Sequence, residues 1–353
     1  MKHFTVATIS TLALLVGAPA LAAGNNEAAT EQRGYSNTLD LTQSGTYNTV
    51  TVEQNGSRNA FDGDQTDGSR NLIDLTQEGR FNYAASGQAG SRNATTTINQ
   101  DTARTAPRDA GHFAVTQQDS TQNSEIEVKQ VGQSQVAVAT QADDTRNNSK
   151  IVIDQSLTTN EAYASQWNVS GSTMYVGQAG EFNTANVAQD DSTGTHANVI
   201  QWGSANYAEV GQTGNRNSTA SLSQSGAFNG AAILQSGSEG SDIIADQYGF
   251  DNFLVATQTA SNGARISTQQ YGWSNVADIS QNNSNGAGIY LLQSGALNYA
   301  NLTQDNSGAS TITGAQLGIG NSLTAAQYNN VGSTILSAQY GTSNTATIVQ
   351  HSK

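Results

Sequence analysis

Glutamine is the residue whose spacing carries chemistry in this chain. From Gln155 it recurs as Gln166, Gln178, Gln189, Gln201, Gln212, Gln224, Gln235, Gln247 and Gln258. It continues as Gln270, Gln281, Gln293, Gln304, Gln316, Gln327, Gln339 and Gln350, in steps that alternate between 11 and 12 residues. The period is therefore 23 residues. A primary amide carries two N–H donors and a carbonyl acceptor, so it can bond to copies of itself on both sides. Such spacing offers a ladder of stacked amides rather than a reaction centre, and glutamate in its place would stack like charges.

Asparagine, serine and glycine keep the same time. Ser172, Gln178, Gly180, Asn183 and Gln189 form one copy of Ser-x5-Gln-x-Gly-x2-Asn-x5-Gln. Asn206 stands between Gln201 and Gln212 in the same frame. Further copies are Ser218, Gln224, Gly226, Asn229, Gln235, then Ser241, Gln247, Gly249, Asn252, Gln258. Ser310, Gln316, Gly318, Asn321, Gln327 and Ser333, Gln339, Gly341, Asn344, Gln350 close the series. Nine regular periods fill residues 149–350. Residues 37–141 follow the pattern less strictly, with Gln43, Gln54, Gln65, Gln77 and Gln88 in frame and an insertion near residues 101–111, around Pro107. Residues 142–148 read as a loop and residues 24–36 as a short N-terminal segment. Insertions in repeat proteins map to loops.

Groups that could do other chemistry are dispersed. His3, His112, His196 and His351 lie far apart in the sequence, so they suggest no metal cluster. The acid pairs Asp143-Asp144 and Asp190-Asp191 fall in expected turns and recur in no constant frame. No catalytic residue, cofactor or metal is expected, and the chain does not read as an enzyme. A formal charge of −14 argues against nucleic acid as a partner.

The elements that must position the amides follow from alternation. In Asn183-Thr184-Ala185-Asn186-Val187-Ala188-Gln189 the odd members are amides and small apolar residues, and the even ones are mostly polar. Side chains two apart share a strand face, so one face is thinly apolar and edged by amides. Glycine after glutamine permits the positive φ of a tight turn. Each period is thus strand–turn–strand–turn, and neighbours must stack ~4.8 Å apart to bury that face. The expectation is an all-β, two-sheet β-solenoid. Tyr248 and Tyr271, one period apart, should stack, and Asp242, Asp246 and Asp251 could weaken self-pairing. No polar cap is recognisable after Gln350, which points to an edge open to another copy.

Composition agrees with a repetitive exported chain. Charged residues make up 12% and hydrophobic residues 36%, below the usual shares, so a thick core is not expected. Residues 1–23 have the form of a signal peptide: Lys2, an apolar stretch, and Ala20-Leu21-Ala22 as a cleavage site. Nothing later is apolar for long enough to insert in a membrane as a helix. There is no cysteine, so disulfides cannot staple the exported chain.

The motif carried by Ser172, Gln178, Gly180, Asn183 and Gln189 and its later copies resembles the repeat of the curlin family. The resemblance implies an amyloid-forming structural subunit of curli-like fibres, secreted to the cell surface and supporting biofilm and adhesion. It also implies partners: other copies of the chain, a nucleator subunit, and an outer-membrane secretion channel with periplasmic accessory proteins. A nucleator-type minor subunit and a monomeric β-solenoid adhesin remain as alternatives.

Overall fold

A computed structural model describes residues 24–102 and 110–352. The expected signal peptide, residues 1–23, and the centre of the insertion, residues 103–109, lie outside the described residues. Twenty-eight strands and no helix make up the regular structure of the described residues. Long strands, nine residues in most cases, alternate with short ones of about seven; Asp242–Phe250 and Phe253–Thr259 are a representative pair. The fold is a β-solenoid with a turn of about 23 residues and two parallel sheets, one of long strands and one of short.

Two compact units divide the chain, Met1–Glu181 and Phe182–Lys353. In the first, long strands pair in parallel from Glu27–Tyr35 to Thr173–Glu181, and short ones from Thr38–Gln43 to Glu161–Trp167. In the second, long strands pair from His196–Ser204 to Thr334–Thr342, and short ones from Thr184–Asp190 to Thr345–His351. The register never slips: glutamine lies beside glutamine in every pair.

Period-2 alternation decides what is buried. Ile243, Ala245 and Gln247 face inward from one strand, and Leu254, Ala256 and Gln258 from its partner across the core. The core is thin, and its variations compensate one another. A Cβ on Gly63 would lie 2.6 Å from the ring of Phe61, and one on Gly314 would lie 2.7 Å from Leu323 of the facing sheet. Large and small side chains therefore alternate to fill the space.

Irregularities of the sequence fall at the corners. Across the insertion, Thr95–Thr102 still pairs with Glu125–Gln133, and Tyr83–Ala89 with Phe113–Asp119. The turn between Val136–Ala142 and Lys150–Thr158 is longer than usual, so Gln130 and Gln155 are 25 rather than 23 positions apart while remaining in register. Residues Glu27–Tyr35, ahead of the first expected repeat, form a strand in register with Thr49–Ser57. The acidic rung brings no acid beside an acid within the long-strand sheet: Asp242 lies between Thr219 and Arg265, and Asp246 between Ser223 and Gln269.

The corner after most long strands holds glycine, Thr102 and Leu157 being the exceptions. Gly249 has φ 121°, and a Cβ there would lie 2.1 Å from the carbonyl oxygen of Gly272 one rung on. Leu157 holds this position between Gly132 and Gly180, at φ 77°. A non-glycine residue in this region is strained. Leu157→Gly should therefore raise stability by about 1 kcal/mol, strain relief exceeding the entropic cost of glycine. Gly249→Ala should lower it by more, and denaturant midpoints of the two variants check both signs.

Candidate functional site

Stacking places the glutamines in two internal columns, one per sheet. In the first unit Nε2 of each donates to Oε1 of the next at 2.7–2.9 Å, from Gln43 to Gln166 and from Gln54 to Gln178. In the second unit the same distances run from Gln189 to Gln350 and from Gln201 to Gln339. The second amide hydrogen goes to a backbone carbonyl: Gln247 donates to Gly230 at 3.0 Å, and Gln235 to Ser241 at 3.2 Å. Apart from the outermost rungs these amides are buried. A buried amide without partners is costly, so the column holds only if every rung supplies one.

Asparagine forms a third column with the opposite direction. In the second unit Nδ2 of Asn206, Asn229, Asn252, Asn275, Asn298, Asn321 and Asn344 each donates back to Oδ1 of the preceding rung, at 2.8–3.0 Å. The same Oδ1 accepts the backbone N–H of the next asparagine, as from Asn229 to Asn206 at 3.1 Å. Gln224 thus donates forward to Gln247 while Asn252 donates backward to Asn229. Asn183 opens this column, and its Nδ2 donates to the carbonyl of Gly203 at 3.0 Å. In the first unit Gly180 does the matching work, its carbonyl accepting from Asn160 Nδ2 at 3.0 Å.

Serines at the other corner accept backbone N–H groups. Ser149 Oγ accepts from Ser172 at 3.4 Å, Ser218 Oγ from Ser241 at 3.3 Å, and Ser310 Oγ from Ser333 at 3.1 Å. In the early rungs asparagine does the same work, Asn71 Oδ1 accepting from Ala94 at 3.0 Å. Ala264 cannot accept, and the N–H of Ala287 turns instead to the carbonyl of Ser284 at 3.4 Å. One column escaped the sequence reading. Ser192, Asn215, Ser238, Ser261, Ser284, Ser307 and Asn330 are buried, and each of the first six accepts the N–H of the next. Their signal was a constant place, three residues after each short-strand glutamine.

His112 interrupts the asparagine column, taking the place of Asn82 one rung before. Its N–H donates to Asn82 Oδ1 at 3.1 Å. The N–H of Gln135 donates to Nδ1 at 3.4 Å, so the ring proton sits on Nε2, 3.1 Å from the carbonyl oxygen of Asp101. Burial holds the imidazole pKa below its ordinary value and outweighs the opposing pull of the Asp101 carbonyl and carboxylate. Gln135 Oε1 is buried without a donor.

Charges lie on the outer faces. Lys150 donates to Glu125 at 2.9 Å and Glu127 at 3.1 Å; burial lowers its pKa, but the two carboxylates more than offset this and it is raised. Burial, then the neighbouring Asp62, raises Asp64. Tyr248 and Tyr271 stack with ring centres 5.2 Å apart and planes 4° from parallel. Tyr328 stacks on His351. Among the described residues no group of three or more His, Cys, Asp or Glu side chains is placed to hold a metal.

Two outcomes follow from these columns. Gln247→Glu keeps the shape but, when ionised, has no hydrogen for Gln270 Oε1 or the Gly230 carbonyl. At neutral pH it should lose on the order of 3 kcal/mol. Its folded-state pKa is raised, so stability should recover as pH falls and be lost as pH rises through that value. His112 behaves in the opposite sense. Above its ordinary pKa of 6.5 the folded and unfolded states are both neutral, and as pH falls through 6.5 only the unfolded chain takes up the proton. Stability therefore falls as pH drops toward the lowered folded value, and His112→Asn should remove this slope between about pH 7.5 and about pH 5. Guanidinium unfolding across that range measures both.

No curated protein matches the chain. The family profile described as the curlin associated repeat matches residues 34–66 and 68–101, in the less regular N-terminal part. Those residues build the same rungs and amide columns that recur through the second unit. The chain thus carries curlin associated repeats over residues 34–101.

Proposed function

We propose that this chain is a structural subunit of an extracellular amyloid fibre of the curli type, growing by end-to-end stacking of copies. The observation that carries this reading is the pair of opposed amide columns. Wherever the stack of the second unit is interrupted between two rungs, one face carries glutamine donors and asparagine acceptors, and the other carries the complementary set. Because the pattern repeats every 23 residues, the complement of either face is another rung of the same sequence. Such a contact is heterologous and does not close on itself, so it propagates as a filament. Parallel strands in register, with glutamines stacked on glutamines, are also the arrangement of cross-β fibres.

The match to the curlin associated repeat supports the rest of the reading: export, assembly at the cell surface, and a role in biofilm and adhesion. Partners in this reading are further copies, a nucleating subunit, and an outer-membrane secretion channel with its accessory proteins. The leader form of residues 1–23 is in keeping with export. Catalysis has no part in it.

Residues 24–353, diluted from denaturant at several concentrations, should form thioflavin-positive, detergent-resistant filaments after a concentration-dependent lag. Sonicated filaments should abolish that lag. The triple variant Gln224→Ala, Gln247→Ala, Gln270→Ala should elongate on wild-type seeds at least tenfold more slowly, since three successive rungs lose their amides. A monodisperse β-rich monomer that stays soluble even when seeded would refute the fibre reading in favour of a monomeric adhesin.

A further inference from the structure

The two corners of the second unit obey different rules. At the corner leading into the long strands, the left-handed position is held by Gly194, Asn217, Gly240, Gly263, Gly286, Ala309 and Gly332, in six of seven cases glycine or asparagine and never a bulky residue. At the opposite corner the same conformation is imposed on Phe228 at φ 58° and Leu297 at φ 56°. A bulky residue there is an outlier in local backbone terms, and such outliers point to a role outside local folding. Neither side chain is recovered by burial: Phe228 is 56% exposed and Leu297 62%.

They are not isolated. Phe250, Trp273 and Ile319 end long strands at this corner and are 47%, 69% and 52% exposed. Phe250 and Trp273 are register partners, Ala296 follows, and Ile319 comes next. Phe228 meets Phe250 edge to face with ring centres 5.3 Å apart. The result is a stripe of large apolar side chains running along the stacking direction, flanked by the stacked Tyr248 and Tyr271. With ~150–250 Å² for a large aromatic side chain, its exposed area is on the order of 550 Å². That lies at the upper end of the roughly 300–600 Å² of the largest apolar patch on a typical soluble monomer, a size that is often functional.

We propose that this stripe is a side-to-side contact in which a second copy of the chain presents the same stripe. Three observations favour that occupant. The apolar groups recur with the rung spacing of the solenoid, which another solenoid edge matches. Across the five corners from Ser225 to Asn321, Asp251 is the one charged residue, in a chain of net charge −14, so here an acidic copy meets least repulsion. The stripe supplies the larger part of the ~800 Å² per partner of a standard stable interface. End-to-end growth uses the rung faces and leaves this edge uncovered, so lateral pairing adds a second, independent contact to the fibre.

The proposal rests on the fibre reading for its main readout, and the test separates the two. Phe228→Ser, Trp273→Ser and Leu297→Ser are combined; serine already occupies these columns as Ser204, Ser274 and Ser343, so the backbone is preserved. Wild-type filaments should appear in electron micrographs as side-by-side pairs. The variant should elongate on seeds at the wild-type rate but give single filaments, with pairs reduced several-fold. Pairing as frequent in the variant as in wild type overturns the proposal. So do wild-type filaments that stay single at all concentrations, including any that instead sediment with phosphatidylcholine vesicles or insoluble polysaccharide through these residues. Should neither protein form filaments, the fibre reading fails by itself and sedimentation velocity of the soluble solenoid decides. A wild-type dimer that the substitutions dissociate upholds the lateral contact, and monomers for both proteins overturn it.

Discussion

A hydrogen bond between two identical side chains governs this molecule. Once a glutamine amide is buried in a dry column, its carbonyl and both its hydrogens need partners, and the neighbouring rung is where the carbonyl and one hydrogen find theirs. That requirement fixes the residue type, since an ionised glutamate lacks the hydrogens. It fixes the register as well, since a slip of one residue would turn every amide outward. It also determines where irregularity is tolerated. Extra residues are accepted at corners, as between Ala142 and Lys150, because the columns on either side do not sense them.

The thin core makes the same point from the apolar side. Ile243, Ala245, Leu254 and Ala256 are the buried hydrophobic residues of one rung, far fewer than a globular core would gather. Gln247, Gln258 and Ser261 occupy further inward positions of that rung, each satisfied along the stack. Stability is thus a sum over neighbouring rungs. The Gly63–Phe61 exchange of volume shows how packing is tuned without disturbing the period.

Much of this was legible in the sequence because stacking imposes identity at fixed spacing. Alternating steps between glutamines, with Ala185 and Val187 inward and Thr184 outward, define the strands and their faces. Other features lay below that signal. The strand Glu27–Tyr35 carries Gln32 in frame and is opened by Asn26, whose Oδ1 accepts the N–H of Asn48, but its inward Ala28 and Thr30 make too weak an apolar face to stand out. Ser238 and Ser261 were hidden by their commonness, since serine at a turn is explained by many local preferences. The opposed directions of the glutamine and asparagine columns could not be read at all, because residue type does not say which amide donates. Phe228 and Leu297 conflict with local backbone preference, so propensity would have placed smaller residues there.

The long turn at Asp143–Ser149 shows how the molecule treats length. Extra residues there leave Gln155 in line with Gln130, because they never enter the columns. Within a strand the accounting is discrete: a single deletion would invert inside and outside for everything up to the next corner, whereas removing a whole turn would leave both new neighbours complementary. A gene for such a protein can therefore gain or lose entire periods by unequal recombination and still encode a stack that fits itself. Copy number becomes a free variable of evolution, while the content of each copy stays under tight constraint.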